Sequence, residues 1–333
     1  MQSFLLKKKT TKSFLEGIMA LKYSTRENYQ AGLHRFEQFC NQQYEERTTG
    51  DILQELKSIP LQDRDDAYLE ILQDYVNWLI THNLSNPTIN LYFQVITYYF
   101  SYHGIRAHPT DLRHKIKRPK KIREKLHPLT REQIHRIFSC SIEKRIMLYL
   151  VLIGTGMRIQ ECVALRKKDF DLDYPKRIKI EIPAQYTKTL TAHTTFVSKE
   201  AEKYLRPCLE SLKPHDLVFA TNPYPFHAKM TEIEAFARAR ERAGLHDKYE
   251  SSKRHHVTLH SFRSYFFTRA RRVHDTDIAH AMVGHTAYLD MYDRKDDSGK
   301  LELYLKTEPE LLINFRNRCE KLSILHHTIK SCH

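Results

Sequence analysis

The chain has 333 residues, 41% of them hydrophobic and 28% charged, with a formal net charge of +14 when His is counted neutral. That balance excludes a disordered polyelectrolyte and a chain made mainly of membrane spans, and the length suffices for two domains with ordinary cores. The basic excess suits a polyanionic partner, because each phosphate neutralised by Lys or Arg releases condensed counterions.

Basic residues are spread along the whole chain, which fits nucleic acid better than an acidic membrane surface. The opening MQSFLLKKKTTKSF places its lysines after the apolar residues, the reverse of a signal peptide. No apolar run is long enough to cross a bilayer, so the expectation is a cell-interior, cytoplasmic protein with no membrane partner. Six cysteines (Cys40, Cys140, Cys162, Cys208, Cys319 and Cys332) are scattered without a C-x-x-C pair. They suggest incidental or buried thiols and neither a disulfide framework nor a zinc site.

Only 9 glycines and many helix formers predict a mainly α protein. Ser24-Thr25-Arg26-Glu27 reads as a capping box ahead of a helix with Tyr29, Leu33, Phe36 and Phe39 on one side. Tyr68, Leu72, Tyr75, Val76 and Leu79 repeat helical spacing. Asn86-Pro87-Thr88 opens a further helix with Tyr92, Phe93, Tyr98, Tyr99 and Phe100. Such a stripe belongs first to a core, with stacking on bases as the alternative. The run 117–126 is rich in Lys and Arg and carries Pro119, which reads as a basic linker between a domain over 1–116 and one over 127–333.

Thr130 and Gln133 form another capping pattern, followed by a buried helix around Ile146–Ile153. Arg177-Ile178-Lys179-Ile180-Glu181-Ile182 alternates as a half-buried strand, with a partner strand over Thr194–Val197, giving a small antiparallel hairpin in a helical domain. The segment Leu301–Ile313 could pack on its own domain or dock on a neighbouring protomer.

Chemistry-bearing residues follow in order. Gly154-Thr155-Gly156-Met157-Arg158 leads into Glu161, where Arg158 and Glu161 share a helix face. Thr187-Lys188-Thr189 lies between the two strands. Thr258-Leu259-His260-Ser261-Phe262-Arg263 puts His260 and Arg263 on one face. Gly284-His285 comes next, then tyrosines at 288, 292 and 304. Each spacing alone is weak: Arg238 and Glu241 repeat the first, and His103 and Arg106 repeat the second.

The ordered set resembles the tyrosine recombinases, the integrases related to the phage lambda enzyme, over residues 127 to about 295. The resemblance implies a helical, SAM-like core-binding domain followed by an α-rich catalytic domain with a small antiparallel sheet. It implies Arg158 and Arg263 as phosphate-clamping arginines, Glu161 supporting them, Lys188 as the hairpin lysine, and His260 and His285 as active-site histidines. It also implies a tyrosine nucleophile after His285. Family members commonly place that tyrosine about nine residues on. Here Tyr292 follows by seven, a spacing similar to that of archaeal integrases, so Tyr292 is assigned, with Tyr288 and Tyr304 as alternatives.

These residue types suit phosphodiester chemistry. Two planar guanidiniums neutralise the non-bridging oxygens. A phenol, with an ordinary pKa near 10, needs a neighbour to take its proton, and His260 suits that task. His285 can hydrogen-bond the phosphate, and a lysine can protonate the leaving 5′ oxygen. The resemblance implies a 3′-phosphotyrosyl intermediate, no metal, no cofactor and no ATP. It further implies double-stranded DNA as partner, a homotetramer on two DNA sites with monomer or dimer otherwise, and association with the nucleoid. Two alternatives share the fold: a type IB topoisomerase-like relaxing enzyme and a non-catalytic DNA-binding protein.

Overall fold

The computed structural model describes residues 9–120, 122, 124–285 and 295–315. The chain divides into two compact units, one of residues 1–125 with 249–254, the other of residues 126–248 with 255–333.

The first unit is helical: α1 (Thr11–Gly17), α2 (Tyr23–Gln43), α3 (Thr49–Ser58), α4 (Leu61–Thr81), α5 (Asn86–Tyr102) and α6 (Pro109–His114). Phe36, Phe39, Leu72, Tyr75 and Phe100 are fully buried at its centre. Phe36 meets Tyr75 and Phe100 edge to face, with centroids 4.9 and 5.6 Å apart, a geometry favoured by the ring quadrupole. The aromatic stripe of α5 is therefore mostly core: Phe93, Tyr99 and Phe100 are buried, and Tyr98 is exposed. One local expectation is corrected. Helix α2 begins at Tyr23, before Ser24, because the Lys22 carbonyl accepts from the amides of Thr25 and Arg26 at 2.9 and 3.1 Å, so Ser24 falls inside the first turn and does not cap it.

Residues 117–120 of the basic run are tied to this unit. The Lys117 amide donates to Gln73 Oε1 at 2.7 Å. The carbonyls of Pro119 and Lys120 accept from the side-chain amides of Asn90 and Asn86 at 3.2 and 2.8 Å. The Arg118 guanidinium lies 4.4 Å from the Phe93 ring centroid, a cation–π contact.

The second unit contains α7 (Arg131–Ser139), α8 (Glu143–Thr155), α9 (Ile159–Cys162), α10 (Lys199–Ser211), α11 (Pro225–Arg242), α12 (His260–Val273), α13 (Thr276–Met282) and α14 (Asp297–Leu311). Thr130 caps α7 as its sequence requires: its hydroxyl accepts from the Gln133 amide at 3.2 Å, and Gln133 Oε1 accepts from the Thr130 amide at 3.1 Å. Helix α8 is buried on every side from Ile146 to Thr155, as an all-apolar helix must be. Helices α10 and α12 pack against it.

The sheet is antiparallel with order β1 (Phe170–Asp171), β2 (Lys179–Ile182), β3 (His193–Phe196). The register pairs Ile180 with Thr195 and Ile182 with His193. Strands β2 and β3 fall where the alternating segment and its partner are expected from the sequence. The third strand was not anticipated, because two residues are too few to carry a period-two signal. The segment Leu301–Ile313 packs on its own unit: Leu301, Tyr304, Leu311 and Ile313 are buried, and Glu200 accepts from the amides of Ile313 and Phe315 at 2.7 and 2.9 Å. Among the described residues no helix is long and apolar enough to cross a membrane.

Candidate active site

The site is built where α8 ends. Gly156 takes a left-handed conformation, φ +65°, and closes the helix with its amide on the Leu152 carbonyl. A Cβ there would stand 2.7 Å from the Phe266 ring, so the position demands glycine for space as well as for backbone. The turn makes Arg158 the N-cap of α9. Glu161, 1% exposed, accepts from the Arg158 amide at 2.9 Å and from its Nη1 at 2.7 Å. The Arg-x-x-Glu spacing is thus a capping box in which a buried carboxylate fixes an arginine.

Helix α12 delivers the second arginine. His260 is exposed at its first position. Arg263, one turn deeper, is only 4% exposed and donates from Nη1 to the Gly156 carbonyl at 2.8 Å. Its Nη2 is buried without a hydrogen-bond partner among the described residues. Burial first, and the nearby Arg158 charge second, pull the Arg263 guanidinium down to about 10, while Glu161 opposes them. Two like charges held together in a buried place are costly unless an anion joins them.

His285 stands just beyond α13. Burial, then Arg263, His280, Arg158 and His260, pull its imidazole down to about 4, so it is neutral near pH 7. Its Nδ1 lies 2.7 Å from Nδ1 of His280. Gly284 before it is also left-handed, φ +70°, and a Cβ there would stand 3.0 Å from the His193 ring.

His193 was missed by the sequence reading. It opens β3, points inward opposite Ile182 and is buried. Burial lowers its pKa, Glu161 and hydrogen bonding to the Thr191 backbone raise it, and Arg263 and Arg158 lower it. A histidine on the inward parity of a strand whose other inward residues are apolar or Thr was the available signal, yet only the β2–β3 register makes that parity visible.

Lys188 is exposed on the β2–β3 connection, five residues before His193. Thr187 organises this connection: its hydroxyl donates to the Ala184 carbonyl at 3.0 Å and accepts from the Thr191 amide at 3.0 Å. Tyr292 and Tyr288 lie outside the described residues. Tyr304 sits in the core, 1% exposed, its hydroxyl donating to the Gly154 carbonyl at 2.9 Å. The structure therefore gathers Arg158, Glu161, Arg263, His193 and His285, with His260 close enough to act on His285. Among the described residues no group of three or more His, Cys, Asp or Glu is placed to hold a metal ion.

The phage integrase family matches residues 127–292. A stretch of 92 residues is 34% identical to tyrosine recombinase XerA of Thermococcus kodakarensis, covering 27% of this chain and 31% of that protein, so the aligned part spans about a third of the length of the relative. Among solved structures, the fold is similar to that of a lambda integrase dimer bound to a COC′ core site: TM-score 0.59 at 17% identity, over 87% of this chain and 100% of that one. It is also similar to a lambda integrase tetramer bound to a Holliday junction: TM-score 0.58 at 16% identity, over 84% and 78% of the two chains. Residues 127–292 are therefore a domain of the phage integrase family, the tyrosine recombinases.

Proposed function

We propose that this chain is a site-specific DNA recombinase or integrase that cuts and rejoins DNA through a 3′-phosphotyrosyl intermediate. One observation carries the reading. Among the described residues Arg263 has a buried Nη2 donor without a hydrogen-bond partner, close to the Arg158 charge, an arrangement suited to an anion with oxygens to share. A scissile phosphodiester supplies those oxygens, and the two guanidiniums stabilise the charge that builds on them in the transition state.

The remaining roles follow from the chemistry of each group. Tyr292 attacks phosphorus, and His260 at the exposed start of α12 accepts its proton. Neutral His285 donates to a non-bridging oxygen. Lys188, exposed on the β2–β3 connection, protonates the departing 5′ oxygen. Attack of that 5′ hydroxyl, or of one from a second duplex, on the phosphotyrosine reseals the strand with no cofactor. Exchange between two duplexes requires four protomers, in keeping with the Holliday-junction tetramer of the lambda enzyme. The work takes place on chromosomal or mobile-element DNA, which places the protein at the nucleoid.

The test begins with selection of a bound site from randomised duplexes. The full chain is then incubated, in excess EDTA, with a duplex nicked inside that site. A covalent adduct mapping to Tyr292 is expected. No adduct on a tightly bound site, or an adduct formed only with added magnesium, would overturn the reading.

A further inference from the structure

The C-terminus of α13 places two histidines together twice over. The Gly284 amide donates to the Ala281 carbonyl at 2.8 Å, and the His285 amide donates to the His280 carbonyl at 3.1 Å. With Gly284 left-handed, this is the paired arrangement that closes many helices with a glycine. The same turn carries the side chain of His285 back over that of His280. The two Nδ1 atoms come to 2.7 Å, with ring centroids 4.9 Å apart. Phe267 of α12 packs beside both rings, its centroid 4.6 Å from that of His280 and 6.4 Å from that of His285.

A contact of 2.7 Å between two ring nitrogens needs one proton between them, since two lone pairs or two N–H groups would repel. Two arrangements satisfy it. If His285 donates, its Nε2 is a bare lone pair, and a lone pair repels a phosphate oxygen. If His280 donates, His285 Nδ1 accepts, and the neutral His285 ring must carry its own proton on Nε2. Only the second arrangement leaves His285 able to donate to phosphate, and it does so without a positive charge that the neighbouring arginines would oppose.

We propose that His280 is a positioning residue which, by donating its Nδ1–H to His285 Nδ1, holds His285 as the Nε2–H tautomer that donates to the scissile phosphate. The proposal rests on the recombinase reading only for the identity of the acceptor. No proton is transferred: His280 keeps its proton and fixes where His285 keeps its own.

The test separates tautomer from activity. In DNA-free protein labelled with 15N-histidine, with His285 assigned by substitution, nitrogen shifts report which ring atom is protonated. Nε2–H is expected in the native chain, and Nδ1–H at His285 would overturn the proposal whatever the enzyme does. The activity arm compares two substitutions of equal size. Asn at this position offers an N–H near the place of Nδ1, whereas Asp offers only an acceptor and forces the other tautomer. H280N should form adduct at close to the native rate. H280D should bind the same duplex and react about tenfold to a hundredfold more slowly, the loss of one hydrogen bond to a charged oxygen. Equal rates for H280N and H280D would show that packing, not the donated proton, is what His280 supplies. Absence of adduct from the native chain would count against the recombinase reading and leave the nitrogen shifts to decide the pair.

Discussion

Arg263 Nη1 donates to the Gly156 carbonyl at 2.8 Å, and Arg158 follows that carbonyl by two residues. One turn thus sets the separation of both guanidiniums. Its left-handed glycine presents the carbonyl that anchors one arginine and starts the short helix that the other caps.

Gly156→Ala tests that dependence. A left-handed alanine costs about 1–2 kcal/mol. A methyl 2.7 Å from the Phe266 ring adds an overpacking cost of about 1–3 kcal/mol. Urea unfolding should show a loss of at least about 2 kcal/mol, and DNA cleavage should fall in the fraction that remains folded. A change below about 0.5 kcal/mol would mean that the turn relaxes freely.

The tyrosines separate by burial. Tyr304→Phe removes a buried hydrogen bond to the Gly154 carbonyl and should lower stability by about 1 kcal/mol while leaving covalent adduct formation intact. Tyr292→Phe should bind DNA normally and form no adduct. Adduct from Tyr292→Phe, mapped to Tyr288, would move the nucleophile four residues towards the N-terminus.

Lys188→Ala should still bind DNA and cleave about a hundredfold or more slowly, because the 5′ alkoxide leaves poorly without a proton. Sulfur in place of the bridging 5′ oxygen makes a leaving group that hardly needs one. That substrate should restore cleavage by Lys188→Ala and should not restore Arg158→Ala, whose defect lies at the non-bridging oxygens. Persistent slowness of Lys188→Ala on the sulfur substrate would remove Lys188 from the acid role.

Acid should weaken the second unit through its depressed imidazoles. His285, held at about 4, and His193, held below its ordinary value, bind protons less readily when folded than when unfolded. Arg263, His280, Arg158 and His260 face His285, and all four act in that direction. The unfolded chain takes up these protons near pH 6.5, so stability falls as pH drops from about 6.5 towards about 4 and is level above that window. Urea midpoints at about pH 7.5 and about pH 5.5 should converge in His285→Gln relative to the native chain. An unchanged difference would place the acid sensitivity on other groups.

Local chemistry decided much of this protein before any folding. The apolar run Ile146–Ile153 could only become a buried helix, Thr130 with Gln133 could only cap one, and the alternation of Lys179–Ile182 could only form a strand with one side covered. The order of Arg158, Lys188, His260, Arg263 and His285 was likewise legible, because each spacing is short and the set recurs in a known family. Contacts between distant segments were not legible, since they depend on register and approach, which no local period encodes. The two-residue strand β1, the burial of Tyr304 against Gly154, and the inward turn of His193 onto Gly284 all belong to this second kind. So does the burial of Leu301–Ile313 on its own unit, where the sequence left two places for it. Sequence named the groups proposed to meet the phosphate, and the carboxylate three residues on that holds Arg158; tertiary packing decided that the Gly156 carbonyl anchors Arg263, because the two lie 107 residues apart along the chain.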